Sequence, residues 1–264
     1  MPDATALSNA LRNDRVVQRP VLTVHAGLKG DPRQNRLLAA LPAADLARWL
    51  PHLEPVTLSA GQVLCESGAR LSHVYLPTTA VVSMRHLTTS GASAAIALVG
   101  NDGLVGISLF MGGNSTTGQA VVLCAGQGFR LPAPLMMLEF NRGGDVMHLL
   151  LRYTQALIAQ MSQTAVCNRF HALDRQLCRC LLLCFDRVPG TKMAITQEVI
   201  ANTLGVRREG VTDAAGRLQA DGLIHYHRGH IEVLDRAGLQ ARSCECYAVV
   251  RQEYERLLPA VRVG

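Results

Sequence analysis

The sequence predicts an α+β protein with an N-terminal antiparallel β roll, one long helix, and a C-terminal domain of short helices with a β hairpin. Three observations predict this arrangement. Short apolar runs separated by glycines fill residues 56–131, an apolar repeat of helical period fills residues 147–168, and two short amphipathic helices follow residue 195. With 264 residues, of which 48% are hydrophobic, the chain is long enough for two domains and too apolar to be disordered.

Composition and charge restrict the class of protein. The net charge of +6 permits a nucleic-acid partner without proving one, and among the basic residues only Lys29 and Lys192 are lysines. No apolar stretch approaches the roughly 18 residues that span a bilayer, and the first 20 residues lack the apolar region of a secretion signal. We therefore expect a cytoplasmic protein without a membrane partner, whose eight cysteines are mostly reduced thiols.

Residues 1–33 are predicted to be a flexible leader, and residues 34–142 the β roll. Leucines at helical spacing between Leu37 and Leu53, interrupted by Pro42 and Pro51, predict two short helices before the roll. Even spacing of the runs, with a glycine at nearly every corner, favours an antiparallel jelly roll or barrel. Strands are predicted at residues 56–58, 63–65, 74–76, 81–85, 94–99, 120–124 and 128–131.

Residues 143–173 are predicted to form a dimerisation helix and a hinge at Leu173-Asp174. The apolar repeat there is close to 3.5 residues, which favours a partner helix along the seam and hence a homodimer. An ordinary core helix is the alternative. The predicted dimer interface consists of Leu150, Thr154, Leu157, Ile158, Met161, Ala165 and Asn168.

Residues 174–264 are predicted to be the last domain. It begins with a helix from Arg175 to Arg187, capped by Asp174, and includes a helix from about Leu239 to Leu258. Between them, Thr196 caps a short helix, which a tight turn joins to a second one.

That second helix runs from about Arg208 to Ala220, and Gly205 permits the turn before it. Residues 226–233 then predict a two-stranded wing with Gly229 in its turn. The domain is therefore predicted to be a winged helix-turn-helix.

This segment resembles the DNA-binding domain of the Crp/Fnr family of bacterial transcription regulators. The resemblance rests on Ile195-Thr196-Gln197-Glu198 with Ile200-Ala201, on Leu204-Gly205-Val206-Arg207-Arg208-Glu209 with Val211, and on the wing. The roll with its His73-Val74-Tyr75 strand, the long helix and the hinge extend it over about residues 35–260. It implies a homodimeric regulator with a cyclic-nucleotide-binding-like domain, which binds double-stranded DNA at a two-fold operator and contacts RNA polymerase.

In that family an Arg-Glu pair near the start of the recognition helix reads a core containing G·C pairs, and Arg208 and Glu209 match it. Arg208 can donate two hydrogen bonds to guanine, and Glu209 can accept one from a cytosine amine. Asp213 stands where the family often has a basic or small residue, so we expect it to read a cytosine amine or to exclude wrong sequences. The predicted DNA-binding residues are Thr196, Arg207, Arg208, Glu209, Thr212, Asp213, Arg217 and Arg228.

The cyclic-nucleotide branch of the family grips its ligand with a Gly-Glu turn and an Arg-Ser/Thr pair. In the matching stretch, Ile107 replaces the glutamate and no arginine lies between Leu109 and Ala120, so we do not expect cyclic AMP in the usual mode. Another polar ligand and no ligand at all both remain open, and the effector is unidentified. The candidate pocket residues are Gly106, Ser108, Ser115, Thr116, Thr117, Gln119, Gln163 and Thr164.

The alternative function is a ligand-independent, or redox- or metal-responsive, DNA binder with a vestigial roll. Residues 1–64 contain no cysteine, which excludes the N-terminal iron–sulfur cluster of one branch. No metal is predicted, because buried cysteines that pack as small apolar residues are commoner than metal sites. A zinc site would need the C-terminal helix to bring together some of Cys178, Cys180, Cys184, Cys244 and Cys246.

Four histidines, His73, His86, His148 and His171, could ligate haem, although no spacing favours it. An enzyme is not expected, because the sequence shows no nucleophile–base pair, metal-ligand signature or phosphate loop.

Overall fold

The start of the described chain is fastened to the β roll by one buried side chain. The structure is a computed structural model that describes residues 30–258, so residues 1–29 of the predicted leader lie outside it. The Asn35 side-chain oxygen accepts hydrogen bonds from the Leu37 and Leu38 amides, while its nitrogen donates to the carbonyls of Pro77 and Gly103. Two short helices follow, as predicted: α1 (Arg36–Ala40) and α2 (Ala43–Trp49).

Seven antiparallel strands form the roll, each overlapping an apolar run that predicted it. They are β1 (Glu54–Leu58), β2 (Val63–Cys65), β3 (His73–Pro77), β4 (Val81–Leu87), β5 (Ser93–Val99), β6 (Gln119–Cys124) and β7 (Gly126–Pro132). One sheet has the order β1-β7-β3 and the other β2-β6-β4-β5. Val74, Leu76, Phe129 and Leu131 are among the fully buried side chains of the core.

Two helices lead out of the roll. The first, α3 (Ala133–Asn141), was not predicted, because its residues are almost all apolar and show no helical period. Gly143 and Gly144 both adopt positive φ, +76° and +66°, and so reverse the chain before the second helix. That helix is α4 (Gly144–Phe170), the predicted long helix.

One face of α4 packs inside the chain, which corrects the predicted dimer interface. Leu150, Thr154 and Leu157 are at most 6% exposed, so they belong to the chain's own core and cannot contact a second copy. Heptad-like spacing identifies an apolar face of a helix but does not indicate whether that face packs against the same chain or against a second copy, and this is why the prediction failed for these three residues. Met161 is half-buried, and Ile158, Ala165 and Asn168 are exposed.

Between residues 173 and 258, the C-terminal domain contains five helices and a small sheet of order β8-β10-β9. Its elements are α5 (Leu173–Phe185), β8 (Lys192–Ala194), α6 (Gln197–Leu204), α7 (Arg208–Ala220), β9 (Ile224–His227), β10 (His230–Val233), α8 (Arg236–Arg242) and α9 (Glu245–Leu257). Three details differ from the predictions. Ala172, not Asp174, is the N-cap of α5; β8 adds a third strand to the wing; and a break at Ser243-Cys244 divides the last predicted helix.

A buried polar network joins the roll to the C-terminal domain. Arg187, just after α5, forms an ion pair with Asp102 of the roll at 2.7 Å, and its guanidinium lies over the Tyr254 ring of α9. The Gln160 side-chain nitrogen on α4 donates to the Tyr254 hydroxyl and to the Leu98 carbonyl of β5. The two domains are therefore held together by directional contacts as well as by apolar packing. Among residues 30–258, no helix is long and apolar enough to cross a membrane.

Candidate nucleic-acid interface and effector cavity

The helix-turn-helix is built from α6, the turn at Gly205, and α7. The Thr196 hydroxyl accepts a hydrogen bond from the Val199 amide and so caps α6. Gly205 has φ +68°, and a Cβ there would lie 3.0 Å from the Cβ of Ala94 in β5, so the turn favours glycine for two reasons. Arg207, the N-cap of α7, makes no side-chain cap, which leaves the first amides of α7 available to an anion.

The outer face of α7 carries most of the predicted DNA contacts. Val211, Ala214, Ala215 and Leu218 are buried against the domain, so the opposite side of the helix faces outward. Among the described residues, no ion pair involves Arg208 or Glu209. The exposed predicted residues on or next to this helix are Arg207, Arg208, Glu209, Thr212 and Asp213.

Arg217 is exposed, but it is already paired. Its guanidinium donates two hydrogen bonds to the Asp174 carboxylate, at 2.9 and 2.6 Å, and thereby lowers the pKa of Asp174. The pair ties α7 to the first turn of α5. This contact gives Arg217 a partner within the chain, beside its predicted DNA contact, and it gives Asp174 a role other than capping.

Two further residues complete this surface. The Thr212 hydroxyl donates to the Gln197 side-chain oxygen at 2.8 Å, which places Gln197 beside the outer face of α7. Gln197 was not among the predicted DNA-binding residues, because its position in the sequence indicates only the start of a helix. Arg228, at φ +46°, and Gly229, at φ +80°, form the hairpin turn of the wing, so the Arg228 side chain is exposed at its tip.

A cavity of about 360 Å³ lies in the roll beside α4. Its wall includes four of the predicted pocket residues, Gly106, Ser108, Thr116 and Gln119, but not Ser115 or Thr117. From α4 it includes Met161 and not the predicted Gln163 and Thr164.

Those two polar side chains of α4 have partners elsewhere. The Gln163 side-chain nitrogen donates to the Cys246 sulfur. The Thr164 hydroxyl donates a hydrogen bond to the Gln160 carbonyl and accepts one from the Arg179 guanidinium. Neither side chain lines the cavity within the single chain.

Arg85 supplies the cavity with a positive charge that the sequence analysis did not find. It lies on β4 at a bulge, and its guanidinium donates two hydrogen bonds to the Gln119 side-chain oxygen at 2.9 and 2.7 Å. The Gln119 nitrogen in turn donates to Glu66. The family resemblance places an arginine in the loop before Ala120, whereas this arginine comes from β4, the strand paired with Gln119. Most of the remaining wall is apolar and includes Leu71, Met84, Ile96, Val105, Ile107 and Met111.

The cysteines do not form the set considered from the sequence. Cys180 and Cys184 are buried thiols of α5, and burial raises the pKa of Cys178 to about 12. Cys244 and Cys246 lie instead beside Cys167 and His171 at the end of α4.

Comparisons with known proteins agree with this architecture. Residues 175–242 match the family model of the Crp-like helix-turn-helix domain. No curated protein matches the chain by sequence.

Among solved structures, one assigned to the Crp/Fnr family of transcriptional regulators, from Eubacterium rectale, is similar with a TM-score of 0.61 at 18% identity. The match covers 79% of this chain and 98% of that one. FixK2 from Bradyrhizobium japonicum is similar with a TM-score of 0.60 at 17% identity, over 73% of this chain and 98% of that one. The c-di-GMP-responsive regulator CLP from Xanthomonas campestris is similar with a TM-score of 0.58 at 16% identity, over 73% of this chain and 99% of that one. Residues 175–242 are thus a Crp-like helix-turn-helix domain, in a chain that has the fold of the Crp/Fnr transcriptional regulators.

Proposed function

We propose that the chain is a sequence-specific DNA-binding regulator of transcription that acts as a homodimer on a two-fold operator. The observation that carries the proposal is the exposed Arg208-Glu209 pair at the start of α7, the second helix of the helix-turn-helix. Such a helix places its N-terminal residues against base edges in the major groove. The net charge of +6 favours a duplex partner. Regulation would also require contact with RNA polymerase.

We assign one function to each of the three segments predicted from the sequence. Residues 34–142 form the effector roll, residues 143–173 the dimerisation helix with its hinge, and residues 174–264 the DNA-binding domain. The dimer proposal is supported by an exposed apolar stripe on α4. Residues of this stripe recur at intervals of seven or eight positions, so its members share one face of the helix. These residues are Leu151, Ile158, Ala165 and Val166.

Selection of DNA from a randomised pool tests the DNA-binding proposal. The purified full chain should retain sequences that share a two-fold symmetric motif containing G·C pairs. Retention without any shared motif would reduce the chain to a non-specific DNA binder, and no retention at all would remove the proposal.

For the effector, the cavity favours a small and largely apolar ligand with one anionic group directed at Arg85. Arg85 is paired there with the neutral Gln119 side chain, so an anion could replace or add to that contact. The structurally similar regulator CLP is c-di-GMP-responsive. A cavity of about 360 Å³ is near the lower end of ligand pockets, which favours a smaller molecule than a cyclic dinucleotide.

Comparison of DNA binding with and without a metabolite extract tests this effector role. We expect the extract to change the affinity of the wild type and of Arg130→Gln, an exposed control on β7 whose partner is Glu54. Arg85→Gln should lose most of the response, since its anion partner is gone. A full response in Arg85→Gln would contradict the proposed role of Arg85. No response in the wild type would favour the ligand-independent alternative.

A further inference from the structure

Four side chains that can ligate a metal meet where α4 ends and α9 begins. Cys167 lies in the last turn of α4 and His171 is its C-cap, while Cys244 is the N-cap of α9 and Cys246 lies in its first turn. One ligand atom from each, three sulfurs and one ring nitrogen, all lie within 4.8 Å of one another. The three cysteines are buried and the imidazole is nearly so. Within residues 30–258 this is the single group of histidine, cysteine and carboxylate side chains so arranged.

The separations of these atoms match one tetrahedral ion. The Cys167 and Cys244 sulfurs are 3.5 Å apart, and the Cys246 sulfur is 3.5 Å from Nδ1 of His171. Around tetrahedral zinc, with Zn–S of about 2.3 Å and Zn–N of about 2.0 Å, two sulfurs lie about 3.8 Å apart and a sulfur and a nitrogen about 3.5 Å apart. Only small movements would therefore bring the four atoms to coordination distance.

Neighbouring side chains form hydrogen bonds with candidate ligands and so orient them, as is usual in metal sites. Nε2 of His171 lies 3.2 Å from the Glu245 carboxylate, which leaves Nδ1 to face the three sulfurs. The Gln163 side-chain nitrogen donates to the Cys246 sulfur at 3.2 Å, and the Gln176 side-chain nitrogen donates to the His171 carbonyl at 2.7 Å. The amino end of α9 also favours negative charge on Cys244 and Cys246.

We propose that Cys167, His171, Cys244 and Cys246 bind one Zn²⁺ ion and thereby fasten the end of α4 to the start of α9. Three thiolates and one imidazole are a donor set typical of closed structural zinc sites, and soft thiolates select against Mg²⁺ and Ca²⁺.

The proposed metal site lies at the junction between α4 and α5, next to the C-terminal domain. Only Ala172 separates the ligand His171 from α5, the first helix of the DNA-binding domain. A metal at this point fixes the hinge between the long helix and that domain, and its binding energy becomes part of the stability of the joint. This role is independent of the cavity in the roll and of any effector bound there.

Metal analysis of the full chain, purified under reducing conditions, tests the proposal. We expect about one zinc per chain. Cys246→Ser and His171→Ala should each lower zinc occupancy at least several-fold after mild chelation. Cys178→Ala, a buried cysteine of α5 outside the group, should keep the wild-type content. Equal zinc content in all four proteins, or no zinc in the wild type, would overturn the assignment.

A second measurement avoids dependence on how well each variant folds. Co²⁺ added to the metal-free wild type should give the intense visible absorption of a tetrahedral cobalt–thiolate site, and one equivalent of Zn²⁺ should abolish it. A weak octahedral spectrum would overturn the proposal. The proposal would also fail if Cys167 and Cys244 form a disulfide and the protein binds neither ion after that disulfide is reduced. The presence of iron with inorganic sulfide in place of zinc would overturn it as well.

Discussion

At the scale of single residues, two arginines of α7 show why sequence alone could not assign every contact. Arg208 and Arg217 both belong to the outward side of a helix by their spacing. The structure gives Arg217 a partner 43 positions earlier in the chain, Asp174, and leaves Arg208 without an ion pair among the described residues. Such a long-range pairing has no local signal. The same reason explains why Arg85 of the cavity was missed.

Arg208→Ala should remove discrimination at one G·C pair in each half-site, because the lost bidentate contact contributes about 1–3 kcal/mol. Competition between the cognate duplex and one with that pair exchanged measures the effect. Arg217→Ala is the matched control. It should keep the preference and cost the domain at most about 1 kcal/mol of stability, since the pair with Asp174 is exposed. A loss of preference in Arg217→Ala, or its retention in Arg208→Ala, would reverse these roles.

At the scale of elements, the strands were predicted well and the helices less so. Alternating apolar residues with glycine corners locate all seven strands of the roll, because turn chemistry and alternation are local. The uniformly apolar α3 carries no period, and nothing in the sequence required the break between α8 and α9. For α4 the sequence predicted an apolar face and assigned it to a second copy of the chain. The chain itself covers much of that face, and an exposed stripe that includes Leu151 and Val166 remains on the helix.

Replacement of both Ile158 and Val166 by glutamate should convert the proposed dimer to a folded monomer. Both side chains are 44% exposed in the chain, so charge there disrupts a helix pair without entering the core. Light scattering gives the mass, and circular dichroism checks the fold. Val249→Glu on α9, where the side chain is 43% exposed, is the control and should remain dimeric. A dimeric double variant would remove this face of α4 as the interface.

At the scale of the whole molecule, the buried network around Arg187 couples the roll to the DNA-binding domain. Arg187 is 3% and Asp102 7% exposed, so neither charge is well solvated without the other. Arg85 lies on β4 beside the cavity, β4 pairs with β5, and β5 contacts α6, so packed elements connect the cavity to the helix-turn-helix. The proposed metal site lies at the opposite end of α5 from Arg187.

Asp102→Ala should lower the free energy of unfolding by about 3–5 kcal/mol, because it leaves the Arg187 guanidinium buried and unpaired. Removal of both charges, in Asp102→Ala combined with Arg187→Met, should cost less than the sum of the single changes. Urea denaturation of the three variants measures the difference. A single variant within about 1 kcal/mol of the wild type would show that the pair contributes little to the joint.

We propose that two copies of this chain bind a two-fold DNA site through α7. Hydroxyl-radical footprinting on the selected site, combined with the mass of the complex, tests this proposal. We expect two chains per duplex and two protected half-sites on one face, centred about 10 base pairs or a multiple of one helical turn apart. One chain per duplex, or uniform protection without half-sites, would contradict it.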